Sequence, residues 1–184
     1  LFRFGVGLWP ILADLGYFPA AWLDDFGKMD APLTDHPSMR EVPGVDFSSG
    51  ALGHNLSVGV GMCLASRFRG GDDRTFVLLG DGELHEGQVW EAAMSAAHYR
   101  LGNLVAIVDA NGTSADGPTS DVMNIEPVRG RFEAFGWRAV EIDGHDVPRI
   151  VATLDALPDA RTDVPTVIVA RTVKGKGVSF METS

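Results

Sequence analysis

Apolar residues recur along this chain with two different periods, and the change between them lays out its elements. From residue 75 onward, short continuous apolar runs alternate with helical stretches. Phe76–Leu79, Leu104–Asp109 (LVAIVD), Trp137–Ile142 and Thr166–Arg171 (TVIVAR) read as strands. Glu86–Arg100 reads as a helix between the first two, and Arg131–Phe135 as part of another. Asp146 has the chemistry of an N-cap for a helix in which Ile150, Leu154 and Leu157 form one face. Strands that are apolar at nearly every position must be covered on both sides. The predicted fold class is therefore α/β: a mainly parallel twisted sheet with helices on both faces.

The front of the chain follows neither period for long. Residues 1–17 read as a short helix, with Ile11, Leu12 and Leu15 at helical spacing. Residues 19–49 are rich in Pro, Asp and Gly-flanked turns, and predict a long ordered loop with a short helix around Ala20–Phe26. The stretch ALGHNLSVGVGMCLASRF (51–68) reads as a buried helix despite its glycines, which let a neighbouring backbone come close. Ser48 or Ser49 is its candidate cap.

Composition narrows the function classes. The 184 residues carry 45% hydrophobic and 22% charged side chains, enough for one domain with a real core over 1–184. The net charge of −10 disfavours a nucleic-acid partner. No apolar stretch is long enough for a membrane span. Cys63 is the only cysteine, so no internal disulfide forms, and a reducing, cytoplasmic setting fits. In VGVGMCLA it reads as a small core residue. The opening LFRFGVGLWP has a weak look of a signal peptide without a clean cleavage site, and reads as the ordered start of a longer chain.

The candidate chemistry lies where two strands end. Gly80-Asp81-Gly82 follows the first strand, and Asn111 closes the second, thirty positions on from Asp81. Each alone is also a plain turn signal. If the two strands are neighbours, the carboxylate and the amide converge at the carboxyl edge of the sheet, where ligands bind in such folds. One carboxylate, one amide oxygen and loop carbonyls make a hard-oxygen site of low charge, suited to Mg²⁺ that takes its remaining ligands from phosphates and water. The Gly80 and Gly82 N–H groups would stabilise the same phosphates.

Three stretches then resemble the transketolase family: VPGVDFSSGALGHNLSVGVGMCLA, EGQVWEAAMSAAHYRLGNLVAIVDANGTSADG and VPTVIVARTVKGKGVSFME. With GDG and the later Asn, the resemblance runs over residues 8–182 in one order. It implies the N-terminal, diphosphate-binding domain of a transketolase, or the small subunit of a split one. By that resemblance, thiamine diphosphate is the cofactor, and Asp81 and Asn111 ligate Mg²⁺ or Ca²⁺. The carbonyl of Thr113 adds a third ligand, and Gly82 donates its N–H to the diphosphate. Gly50 and Leu52, in SSGALG, match positions that line the thiazolium and aminopyrimidine. His36, in DHPSM, matches a histidine near the substrate's hydroxyls. Glu86 and Glu91 match acids that face a partner subunit. Five positions on a helix turn about 140°, so those two do not share a narrow face. His54 and His98 are left with structural roles, and His145, at a strand end before a helix cap, leaves a local hydrogen-bonding role and a catalytic one equally open.

The resemblance also implies a missing part. The pyrimidine-binding domain, which supplies the glutamate that starts cofactor activation, matches nothing in this chain. A second subunit carrying the pyrimidine-binding and C-terminal domains is implied, with an α₂β₂ heterotetramer and a ketose or aldose substrate for two-carbon transfer. Some family features are absent. LFRFGVG stands where a Ser-Lys-Gly-His stretch is usual, a further histidine lies upstream, another would follow Ser184, and Asn55 stands where Gly is usual. These departures keep two alternatives open. One is a subunit of another thiamine-diphosphate enzyme, of 2-oxo acid dehydrogenase or deoxyxylulose-phosphate synthase type. The other is a non-catalytic scaffold.

Overall fold

The computed structural model describes residues 5–182. By its packing the chain divides into two compact units, 1–52 and 53–184. The first unit holds helix α1 (Gly5–Asp14), a 3₁₀ turn (Ala20–Asp25) and the long predicted loop. The part of the 1–17 helix expectation that falls on residues 1–4 lies outside the described residues. Trp9 and Leu12 of α1 are buried with Phe18, Leu33, Val42 and Val45, forming a small core of their own. Ile11 and Leu15 share the helical spacing but face outward. The indole N–H of Trp9 donates to the Thr34 carbonyl (3.0 Å), which ties the loop to the helix.

The second unit is built from helix α2 (His54–Phe68), strand β1 (Thr75–Gly80), a 3₁₀ turn (Gly82–His85), helix α3 (Gly87–His98) and strand β2 (Leu104–Ala110). A two-residue hairpin, β3 (Thr113–Ser114) and β4 (Gly117–Pro118), and a single helical turn, α4 (Thr119–Val122), follow. Helix α5 (Val128–Ala134), strand β5 (Arg138–Asp143), helix α6 (Val147–Asp155) and strand β6 (Thr166–Arg171) complete it. The four long strands form one parallel sheet in the order β1-β2-β6-β5. The α/β class and the sheet covered on both faces are as predicted.

Strand periodicity explains the two faces. Leu104, Ala106 and Val108 of β2 point into one core with Leu56 and Cys63 of α2, Val89 and Ala93 of α3, and Phe132 of α5. Val105, one residue out of phase, points the other way with Ile142 and Ile168, against Ile150 and Leu157. Full burial of each Leu, Val, Ile or Phe side chain among these contributes about 1.5–3 kcal/mol. Gly59 shows why α2 needs small residues: a Cβ there would lie 2.6 Å from Val77 Cγ2 of β1. Cys63 is buried, and that burial pushes its thiol up, as befits a packing residue rather than a nucleophile. Asp146 caps α6 through its side chain, accepting from the Arg149 N–H at 3.1 Å. Leu154, expected on the apolar face, stays exposed at its edge.

The cap of α2 differs from expectation. Gly53, in the left-handed region at φ +80°, holds the N-cap position, and no side chain caps it from there. Ser48 instead accepts from the Met39 N–H (3.0 Å) within the first unit.

Candidate functional site

Parallel pairing of β1 with β2 sets the site. Their register runs from Thr75↔Leu104 to Gly80↔Asp109, so both strands end side by side. The Asp81 N–H extends the ladder by one bond, donating to the Asp109 carbonyl at 3.1 Å. Asp81 then turns the chain. Its Oδ1 accepts from the Gly82 N–H (2.8 Å) at the start of the 3₁₀ turn. Its Oδ2 accepts from the Gly112 N–H at 2.6 Å, across the sheet edge. Gly112 needs φ +76° to present that N–H, a backbone position that favours glycine. The carboxylate of Asp81 thus physically joins the two strand tips.

Asn111 stands beside that bridge. Its Oδ1 accepts from the Thr113 N–H (3.0 Å), closing an Asx turn, and its Nδ2 donates to Asp109 Oδ2 (3.1 Å). Asp109 is held in turn by the Thr172 hydroxyl, which donates to its other oxygen. The β3–β4 hairpin brings Ser114 against Gly82, where a Cβ would sit 3.1 Å from Ser114 Cβ. A side chain at Gly82 would therefore fill the space between the turn and the hairpin.

The electrostatics point outward from the protein's own charges. Asp81 is 3% exposed. Burial pushes its carboxyl up; the Gly112 and Gly82 N–H groups pull it down, and the Asp109 charge pushes it up again. Its donors among the described residues are backbone N–H groups, not Lys or Arg. Two carboxylates therefore meet at this strand edge, Asp81 buried and Asp109 half-buried, and neither has a Lys or Arg partner among the described residues. A divalent ion fits this donor set. Asp81 brings a carboxylate, Asn111 has a second lone pair on its amide oxygen, and the hairpin supplies peptide carbonyls. Among the described residues, no group of three or more His, Cys, Asp or Glu side chains is placed to hold a metal ion by itself.

The other sequence-predicted residues fall in two places. His36, Gly50 and Leu52 belong to the first unit. There Gly50, at φ +142°, lies against the His36 imidazole, where a Cβ would run into the ring. The Ser49 N–H donates to the Pro37 carbonyl (3.1 Å), closing the loop that carries both. Leu52 is exposed. In the second unit, the Gly80 N–H points at the Glu83 carboxylate (3.3 Å), so its preferred partner here is a side chain of the turn. Glu86 is the N-cap of α3 rather than a helical residue, and Glu91 is exposed one turn further along. His145 accepts from the Val173 N–H through Nε2 (2.8 Å), which pins the loop after β5 to the loop after β6. Glu83, Asp109 and Gly112 were not singled out in the sequence. The legible signal for Glu83 was an acid directly before Leu84, two residues after Asp81.

A parallel sheet with a buried acid on one strand tip and an amide on the next places both at the carboxyl edge, where ligands bind in open α/β sheets. Comparison with known proteins makes this specific. Residues 11–184 match the family model described as "Transketolase, thiamine diphosphate binding domain". The chain belongs to the transketolase family. It is 42% identical over 175 residues to one subunit of the apulose-4-phosphate transketolase of Phocaeicola vulgatus, covering 95% of this chain and 62% of that protein. A 6-deoxy-6-sulfo-D-fructose transketolase subunit of Clostridium sp. is 39% identical, over 97% of this chain and 64% of the relative. Among solved structures, transketolase of Pichia stipitis superposes with a TM-score of 0.86 at 35% identity, over 92% of this chain and 27% of that one. The chain thus spans less than two thirds of the length of the curated relatives it matches. Among the described residues, no helix is long and apolar enough to cross a membrane.

Proposed function

We propose that this chain binds the diphosphate of thiamine diphosphate through a divalent ion, as one subunit of a transketolase-like enzyme of two-carbon ketol transfer. The observation that carries this reading is the Asp81 carboxylate, buried and bonded to both strand tips with no basic partner among the described residues. Asp81, Asn111 and the Thr113 carbonyl would hold Mg²⁺ or Ca²⁺. Gly82 leaves room for the phosphates beside the hairpin. Thiamine diphosphate, when bound, supplies the nucleophilic carbon for the transfer. The protein's part is to hold that group in one pose and keep water away from it.

His36, Gly50 and Leu52 would line the reactive end, with His36 toward the substrate's hydroxyls. Both compact units then serve one diphosphate-binding domain, a reading supported by a family match that spans them. A second subunit with the pyrimidine-binding and C-terminal domains completes the site in an α₂β₂ assembly, with Glu86 and Glu91 toward the partner. Relatives named as single subunits of their transketolases support the need for another chain. A ketose or aldose substrate and a cytoplasmic setting belong to the same proposal.

The test is Asp81→Ala in the chain assembled with its partner. Loss of metal-dependent cofactor binding is the expected result. Unchanged activity of the complex would favour a scaffold role instead. Ketol transfer by the isolated chain would refute the partner requirement.

A further inference from the structure

A second acid serves the same strand edge from behind. Glu83 lies in the 3₁₀ turn after β1 and is 3% exposed. Its Oε1 accepts from the Gly53 N–H at 2.9 Å, and its Oε2 from the Gly80 N–H at 3.3 Å. Gly53 is the N-cap of α2 and Gly80 is the last residue of β1. One carboxylate therefore joins the start of a helix to the residue before Asp81.

We propose that Glu83 is a positioning residue that sets the Gly80-Asp81-Gly82 turn for the metal-bound diphosphate. The chemistry requires a carboxylate. Gly53 and Gly80 both present N–H donors, so each oxygen must accept. A glutamine of the same shape offers one acceptor and one donor, and turns one of the two bonds into an N–H facing an N–H. The junction has little slack for a rearrangement. A Cβ at Gly53 would lie 2.7 Å from Glu86 Cβ, so the backbone at Gly53 is already packed against the cap of α3. The turn is short as well: Asp81 follows Gly80 directly, and the indole N–H of Trp90 anchors the Leu84 carbonyl at 2.9 Å. Losing the bond at Gly80 leaves its N–H without this acceptor at the residue directly before Asp81.

The consequence follows from population arithmetic. If Glu83 keeps the turn in its binding geometry, its loss lowers the fraction of competent sites. The apparent dissociation constant rises by the inverse of that fraction, while the loaded site is unchanged. Glu83 then controls affinity for the cofactor and not turnover at saturation. A residue that only supports the fold would alter thermal stability and leave that split alone.

The inference rests on the proposed function, and its test separates the two. The full-length chain, assembled with its partner, is titrated with thiamine diphosphate at saturating Mg²⁺ by calorimetry, and turnover is followed against cofactor concentration. For Glu83→Gln the expected result is a roughly 10-fold rise in Kd and in cofactor KM, from one unsatisfied buried donor, with kcat at saturation within about twofold. Glu83→Asp keeps two acceptors on a stem one carbon shorter. It is expected to weaken binding in the same sense, and it serves if the Gln variant does not fold. Equal Kd for wild type and a folded variant would overturn the role of Glu83 while leaving the proposed function standing. No binding by the wild type would overturn both.

Discussion

The carboxyl edge of one sheet carries two acidic poles that are treated in opposite ways. At the tip of β6, Arg171 bonds to both Glu126, in the loop before α5, and Glu141 of β5. The guanidinium draws Glu126 below the usual carboxylate range and is itself raised by the two acids. At the tips of β1 and β2, Asp81 and Asp109 have backbone, amide and hydroxyl donors instead, and burial pushes Asp81 up. The first pole is given a cationic side chain by the protein. The second is prepared geometrically and left short of positive charge. That difference, more than any single motif, separates a structural ion pair from the strand edge where we propose that a cation binds.

The comparison breaks most sharply at Asp81. Asp81→Asn keeps the shape and removes the charge. Metal-dependent cofactor affinity is expected to fall by at least about 100-fold, beyond the 10–100-fold usual for an outer-shell partner. Calorimetric titration of Mg²⁺ with thiamine diphosphate measures it.

Asp109→Asn is the milder version. The amide can still accept from Asn111 and donate to Thr172, so the bonds are kept and only the charge is lost. A fall in Mg²⁺ affinity of roughly 3–10-fold is expected, on the scale of a nearby charge acting through space. A loss as large as that for Asp81 would mean that Asp109 is itself a ligand.

At the other pole, Arg171→Leu should cost about 1 kcal/mol of stability and leave cofactor affinity unchanged. The side chains there are some two-fifths exposed, so screening limits the pair. Chemical denaturation and the same titration check both halves.

The smallest effect is in the pH profile. Glu126 has a lowered folded-state value, so its contribution is present above the unfolded value of 4.5 and is lost as pH falls through the folded one. Thermal stability of the apo chain should therefore decline below about pH 4.5 less steeply in Arg171→Leu than in the wild type. The difference stays under about 1 kcal/mol.

Much of this frame was legible in the residue pattern. The strands were visible because a parallel strand covered on both faces is apolar throughout, and TVIVAR was bounded to the residue. The place of Asp81 and Asn111 was legible for the same reason, since each lies directly beyond the end of such a run, Asp81 after TFVLLG and Asn111 after LVAIVDA. What was hidden depends on contacts distant in sequence. Glu83 finds Gly53 thirty positions away, and Asp109 finds Thr172 sixty-three away. The β3–β4 hairpin has two residues per strand, too few for any period to register. Ile11 and Leu15 had the right spacing, but Trp9 and Leu12 took the core side of α1. The transketolase resemblance stated the family that the comparisons show, because it rests on stretches of text spread over the chain rather than on any one turn.

The most direct test is to locate the cation. A crystal of the assembled protein grown with thiamine diphosphate and Mn²⁺ in place of Mg²⁺ gives an anomalous peak at the metal. The account predicts that peak between the tips of β1 and β2, about 2.1 Å from a carboxylate oxygen of Asp81, the amide oxygen of Asn111 and the carbonyl of Thr113. A peak at the Glu126–Glu141 pole, or a bound cofactor whose metal touches neither Asp81 nor Asn111, would contradict it.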